Sequence, residues 1–386
     1  MRIALVHDYL KEYGGAEGVL ETLSDIFPNA PIYTSLYKPQ FFGPHRPRLE
    51  KKWQGRVRQS FFQYFPFAHK LISPLRLLSP LAFGLFDFSN YDLIISSATG
   101  AYFPNSLNKK NAKLICYCHT PPRYLYGLTT ARDLSRHKLI WFFAQMANHF
   151  LRLLDFKYSQ NVDQYIANST TTATRIHKFY RRDSVVINPP VNIPKVSPLS
   201  KGDVLRRLSE GEGFEPFYLT GGRLAFAKRY DIAIKACNQL GVPLKIFGRN
   251  FANVEATLRQ MSGKTIEFLG EVTNEKRLKL MSEAQAFIFC SDNEDFGIVP
   301  VEAMSAGCPV IGYKSGGVTE TVIDGKTGVL FDKLTPESCA KAISKVGAWL
   351  AQAQTRESVR QACVTQTQHF SKEKFIAKIK NLVQSL

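Results

Sequence analysis

From residue 286 the chain reads Ala286-Phe-Ile-Phe-Cys290-Ser-Asp-Asn-Glu294-Asp-Phe296-Gly297-Ile298-Val299-Pro-Val-Glu302-Ala-Met-Ser-Ala-Gly307-Cys-Pro309-Val. Ala286 to Cys290 is a short apolar run of β type, which predicts a buried parallel strand. Residues 299 to 306 are mostly helix formers. A loop from a strand into a helix N-terminus leaves backbone N–H groups without partners at Gly297 to Val299. There they would face an anion, and the helix dipole adds to the attraction. Glu302, just inside the helix, could accept hydrogen bonds from a ribose diol. Glu294 lies before the loop, on the other side of a bound diphosphate, where a transferred sugar would sit. Two glutamates eight positions apart also arise by chance, and an acid in a first helical turn is favourable without a ligand. The combination of strand, Phe-Gly pair, glutamates and Gly-x-Pro exit is what points to a sugar nucleotide.

That run resembles the signature of retaining family 4 glycosyltransferases of the GT-B fold. Gly316-Gly317-Val-x-Glu320 and Asp324-Gly325-x-x-Gly328-Val-Leu-Phe331 resemble the segment that follows it. Within the family, His7-Asp-Tyr, Gly14-Gly15-Ala-Glu17, Cys118-His119-Thr-Pro-Pro-Arg-Tyr and Asn188-Pro-Pro-Val are most similar to bacterial mannosyltransferases of O-antigen and exopolysaccharide assembly. The resemblance runs essentially end to end. It implies two Rossmann-like domains facing a cleft, with a C-terminal helix crossing back to the first.

Further site residues follow. Arg223 and Lys228 come after a Gly-Gly turn at a strand end, and in the family such a pair holds the donor diphosphate. Fixed cations there would stabilise charge on the leaving group most in the transition state. No Asp-x-Asp metal motif is present, so Arg223 and Lys228 are expected to replace a divalent ion, with neither metal nor cofactor required. His119 ends a strand, and the resemblance places it beside the transferred sugar. A lone histidine is otherwise more often structural. Gly14 and Gly15 permit close backbone approach to donor phosphate or acceptor, and Asp8 and Glu17 stand nearby as secondary candidates. Contacts to the base are expected from backbone around Gly248 and Val272. The catalytic set is thus His119, Arg223, Lys228 and Glu294.

Both halves of the chain alternate short apolar strands with helices, which predicts parallel α/β sheets covered on both faces. Expected strands are Ile3–Val6, Asp92–Ser96, Lys113–Tyr117, Gln164–Asn168 and Val185–Ile187, then Phe217–Thr220, Leu244–Phe247, Ile266–Leu269, Ala286–Cys290 and Val310–Gly312. The proline-rich run from Asn188 to Pro198 is the best boundary. The expected domains are 1–190 for acceptor binding, 191–368 for the nucleotide sugar, and a basic amphipathic helix at 369–386 packing on the first domain.

The 386 residues suit two domains. No apolar run is long enough to span a bilayer, and the N-terminus reads as a strand, not a signal peptide. Seven scattered cysteines without Cys-x-x-Cys spacing read as reduced core thiols and suggest a cytosolic protein. The net charge is +18, and residues 1–190 hold 24 basic against 12 acidic residues. This asymmetry calls for an anionic partner. Residues 51–86 interleave aromatics and leucines with Lys and Arg. The stretch suits a membrane-interface element, a groove for a polyprenyl chain, or core helices with solvated basic edges. No nucleic-acid module is recognisable.

The expectation is a GT-B hexosyltransferase that retains configuration, implied by the resemblance to use front-face attack. It would take mannose from GDP-mannose, or a hexose from another nucleotide sugar, to a lipid-linked saccharide. It would work in the cytoplasm, peripherally on an anionic membrane surface. The alternatives are a nucleotide-sugar epimerase or hydrolase of the same fold, or an inactive nucleotide-sugar-binding scaffold.

Overall fold

In the computed structural model, which describes residues 1–130, 138–193, 216–251 and 253–385, all paired strands are parallel. Seven form one sheet: β1 (Ile3–His7), β2 (Ile32–Thr34), β3 (Val57–Gln59), β4 (Leu93–Ala98), β5 (Lys113–Cys118), β6 (Gln164–Ala167) and β7 (Ser184–Val186), in the order β3-β2-β1-β4-β5-β6-β7. Six form a second: β8 (Tyr218–Gly221), β9 (Leu244–Phe247), β10 (Ile266–Gly270), β11 (Phe287–Phe289), β12 (Val310–Tyr313) and β13 (Gly328–Phe331), in the order β10-β9-β8-β11-β12-β13. These are two doubly wound domains of the GT-B type.

The apolar runs have a physical reason. Ala4, Val6, Ile94, Leu114 and Cys116 enter one core, while Leu5, Leu93, Ile95, Ile115 and Tyr117 enter another. Successive side chains point to opposite faces of a strand, and both faces are buried, so polar alternation is absent. β2, β3 and β13 lay outside the sequence expectation. Ile-Tyr-Thr, Val-Arg-Gln and Gly-Val-Leu-Phe are too short or too polar to stand out, and the first two owe their register to pairing with β1 and β2.

By contacts, residues 1–128, 138–190 and 372–385 form one unit; 129–130, 191–193, 216–251 and 253–371 form the other. The break lies within the proline-rich run, whose residues 194–198 fall outside the described ones. The last helix, Lys372–Gln384, begins three residues later than the expected 369 and buries Phe375, Ile379 and Val383 in the first unit's core. Lys372 Nζ reaches Asp25 Oδ2 at 2.9 Å.

The stretch 51–86 is mixed. Trp53 is buried, with its indole N–H donating to Ser24 Oγ at 3.0 Å. Lys52 pairs with Glu21 and Asp25 at 2.7 and 2.8 Å. The Arg56 guanidinium donates to the carbonyls of Ala30 and Phe27 at 2.9 and 3.0 Å. These residues hold the sheet edge and are not a free basic surface. Beyond them, Tyr64, Phe67, Leu77, Leu81 and Leu85 are exposed. All seven cysteines are buried thiols, and none is in a disulfide. Among the described residues no helix is long and apolar enough to cross a membrane.

Candidate active site

In the second sheet the strand order reverses direction of growth between β8 and β11. Ligands of open parallel sheets bind at such a point, beyond the strands' carboxyl ends. The sequence-predicted residues gather there. Gly222 and Arg223 follow β8, Gly248 follows β9, Val272 follows β10, and Ser291 to Val299 follow β11. Gly248, at φ +141°, lies so close to the Gly222 carbonyl that any β-carbon there would overlap it.

Glu294 is fixed from two sides. Its backbone carbonyl accepts from Gly317 N at 2.9 Å, and a β-carbon on Gly316 or Gly317 would overlap this loop. Its Oε2 accepts from Lys228 Nζ at 2.6 Å and from Ser291 Oγ at 2.6 Å. The helix Ile298–Ser305 then starts from Gly297, whose φ of +87° is a left-handed conformation that favours glycine. Phe296 is buried beside it against Phe370. Ile298 and Val299 are half-buried at the helix start. Arg223 is exposed and lies over the Phe251 ring, 5.1 Å from its centroid.

Glu302 is paired in a way the sequence did not reveal. Its Oε1 accepts from Arg277 Nη2 at 3.0 Å, and its Oε2 is buried with no hydrogen-bond partner. Burial raises the carboxyl's pKa above the ordinary value, and Arg277 opposes the rise. Arg277 lies on the helix Asn274–Glu283 among Lys276 and Lys279, where sequence alone cannot separate it from a solvated basic face. Ser291 left a clearer trace, as the hydroxyl that ends an apolar strand.

The first sheet has its own reversal, between β1 and β4. His7 and Ser97 face each other there. His7 Nδ1 lies 3.1 Å from Ser97 Oγ, which lies 2.9 Å from His119 Nε2. The His119 backbone N–H continues the ladder to Ala98 O at 2.9 Å, and its carbonyl accepts from Asn168 Nδ2 at 2.9 Å. Burial lowers the His119 pKa to about 3, with His7 adding to the effect, so the ring is neutral. Gly14 and Gly15 are exposed at the start of the helix Gly15–Ile26, and Gly14 N donates to Glu17 Oε2 at 2.8 Å. Asp8 Oδ2 accepts from Thr99 Oγ1 at 2.6 Å and from the N–H groups of Ala101 and Tyr102, both at 3.1 Å. Asp8 thereby organises the turn after β4. Sequence reasoning had not assigned His7 or Ser97 a role, although a polar residue closing an apolar strand was a usable signal.

Two family models together match most of the chain, one in each half. The model for glycosyl transferases group 1 matches residues 207–362, and that for Glycosyltransferase Family 4 matches residues 13–194. The chain belongs to the group 1 glycosyltransferases. Its relatives include the sulfoquinovosyl transferase SQD2 of Arabidopsis thaliana, 26% identical over 50% of this chain and 38% of that one. They also include the human alpha-1,3/1,6-mannosyltransferase ALG2, 25% identical over 66% of this chain and 64% of that one. The chain thus spans less than two thirds of either relative. The solved structure of Anabaena HepE in complex with UDP and glucose shares the fold, with a TM-score of 0.72, 19% identity and full coverage of both chains.

Proposed function

We propose that this group 1 glycosyltransferase retains configuration and transfers mannose from GDP-mannose to a lipid-linked saccharide in bacterial surface polysaccharide synthesis. The arrangement that carries the reading is the Lys228–Glu294–Ser291 cluster beside the helix that begins at Gly297, with Glu302 inside that helix. The Gly297–Val299 backbone and the cations of Arg223 and Lys228 receive the diphosphate. Glu302 receives the ribose, and backbone at Gly248 and Val272 the base. Gly14 and Gly15 let the donor phosphate or the acceptor approach the first unit's backbone closely. Glu294 orients the sugar, and His119 accepts from one of its hydroxyls.

In the reaction the bond from the anomeric carbon to the phosphate oxygen breaks, and the acceptor oxygen bonds to that carbon on the same face. The acceptor's proton passes to the departing phosphate oxygen. Lys228 and Arg223 neutralise the leaving charge, and no divalent ion takes part. Mannose is favoured by the ALG2 relatives. A UDP-hexose donor is the second reading, favoured by the HepE complex with UDP and glucose.

The acceptor's lipid accords with the exposed apolar side chains of residues 64–85 and the basic balance of the first unit. We place the enzyme peripherally on the anionic cytoplasmic face of the membrane. Incubation with GDP-mannose, UDP-glucose and other nucleotide sugars, with and without EDTA, tests the assignment, the anomer being read by NMR. Inverted product would sink retention, and loss of turnover with EDTA would sink metal independence. Binding without turnover would favour the scaffold alternative, and a changed sugar stereocentre the epimerase.

A further inference from the structure

Four buried or half-buried polar side chains form a line through the first unit: Glu17, His7, Ser97 and His119. Glu17 Oε1 lies 3.6 Å from His7 Nε2, an electrostatic approach longer than a hydrogen bond, and that buried nitrogen has no hydrogen-bond partner among the described residues. The remaining steps are the 3.1 Å and 2.9 Å contacts through the Ser97 hydroxyl. Glu17, His7 and Ser97 are each less than 9% exposed, so solvent does not compete for these hydrogens.

The line has a direction. A carboxylate only accepts, and its negative charge 3.6 Å away favours the His7 hydrogen on Nε2, the nitrogen that faces Glu17. A neutral imidazole carries one hydrogen, which leaves His7 Nδ1 as an acceptor. The Ser97 O–H donates to it, and the Ser97 oxygen accepts from His119 Nε2–H. The His119 Nδ1 then carries a lone pair, and it has no partner among the described residues. We propose that Glu17, acting through His7 and Ser97, fixes the proton on the far nitrogen of His119, so that His119 Nδ1 faces a hydroxyl of the transferred sugar as an acceptor. Glu17 is thus a positioning residue. The sugar contact rests on the reading given under Proposed function; the proton arrangement does not.

The substitution Glu17→Gln tests the direction. Gly14 N–H already takes one carboxylate oxygen at 2.8 Å. The amide oxygen of the variant keeps that bond, and its NH2 therefore turns toward His7. Every hydrogen in the line must then reverse, and His119 becomes a donor at Nδ1. Nitrogen-15 NMR of histidine-labelled, unliganded protein at pH 8 reads this directly, with His7→Gln and His119→Gln assigning the signals. The expected result is Nε2–H on both rings in the wild type and Nδ1–H on both in Glu17→Gln. A doubly protonated His7, an Nδ1–H His119 in the wild type, or identical spectra in the two proteins would overturn the proposal.

In turnover, Glu17→Gln and Ser97→Ala should each lower kcat about ten- to a hundredfold. Nucleoside diphosphate affinity should stay unchanged, and Ser97→Thr should restore kcat. Unchanged kcat in Glu17→Gln would overturn the link to the sugar. The ring spectra need no substrate. Absence of any sugar transfer would therefore count against the activity assignment, and the spectra would still decide the proton arrangement.

Discussion

Glu302 offers the sharpest test of the proposed nucleotide site. One carboxylate oxygen pairs with Arg277, while the other is buried and unsatisfied. A buried acceptor in that condition costs about 1–3 kcal/mol. A ribose diol that donates to it would relieve the cost, and a hydrogen bond to a charged group contributes about 1.5–3 kcal/mol. The wild type should therefore bind a nucleoside diphosphate roughly 10- to 150-fold more tightly than its 2′,3′-dideoxy analogue. Glu302→Ala should bring that ratio close to one. Arg277→Met should keep part of it and make it depend on pH. Without the guanidinium, burial alone acts on the Glu302 pKa and raises it further, so the carboxyl holds its proton to higher pH. The ribose preference of that variant should then return as pH rises and the carboxylate forms. Titration calorimetry on the four protein–ligand pairs of wild type and Glu302→Ala gives the ratios. A folded Glu302→Ala protein that retains the wild-type preference would refute the ribose assignment.

Other perturbations are equally specific. Lys228→Ala should reduce kcat more than donor affinity in steady-state kinetics, because charge on the leaving phosphate peaks in the transition state; a change confined to KM would contradict this. Burial raises the Asp155 carboxyl to about 7, against which the hydroxyls of Tyr126 and Tyr180 donate. The folded chain binds that proton more tightly than the unfolded one, so this group's contribution to stability falls as pH rises from 4 toward 7, by about 4 kcal/mol at most. Asp155→Asn should thus gain on the wild type across that window in pH-resolved melting curves. The opposite trend from His119 is common to both proteins and cancels, and a pH-independent difference would count against the shift. Replacing Phe67, Leu81 and Leu85 by serine should release the protein from anionic vesicles in co-sedimentation while nucleotide binding persists. Wild-type protein that stays in the supernatant at low salt would remove the membrane assignment.

Much of the architecture could be read from apolar runs such as Leu244–Phe247 and Ala286–Cys290, because a strand buried on both faces leaves no polar interruption. The second unit's candidate site was equally legible as a local pattern, since loop, helix start and both glutamates fall within one short segment. What escaped depended on contacts between distant segments. Arg277 meets Glu302 across 25 positions, and His7 meets Ser97 across 90. The stretch 51–86 misled for the same reason. Lys52 and Arg56 read as surface charge, yet one is paired to two carboxylates and the other caps backbone carbonyls.

The last helix, Lys372–Gln384, carries a consequence for how the chain acquires its structure. Phe375, Ile379 and Val383 complete a core otherwise built from the first 190 residues. Each such buried side chain contributes about 1.5–3 kcal/mol. During synthesis the first unit emerges early but lacks this helix until the whole second unit has followed. The second unit can close its own sheet first, while the first waits with an apolar face toward solvent. A released chain that stops before residue 372 should therefore resist protease in its later-made half and not in its earlier-made half, the reverse of the usual order in which domains mature during synthesis.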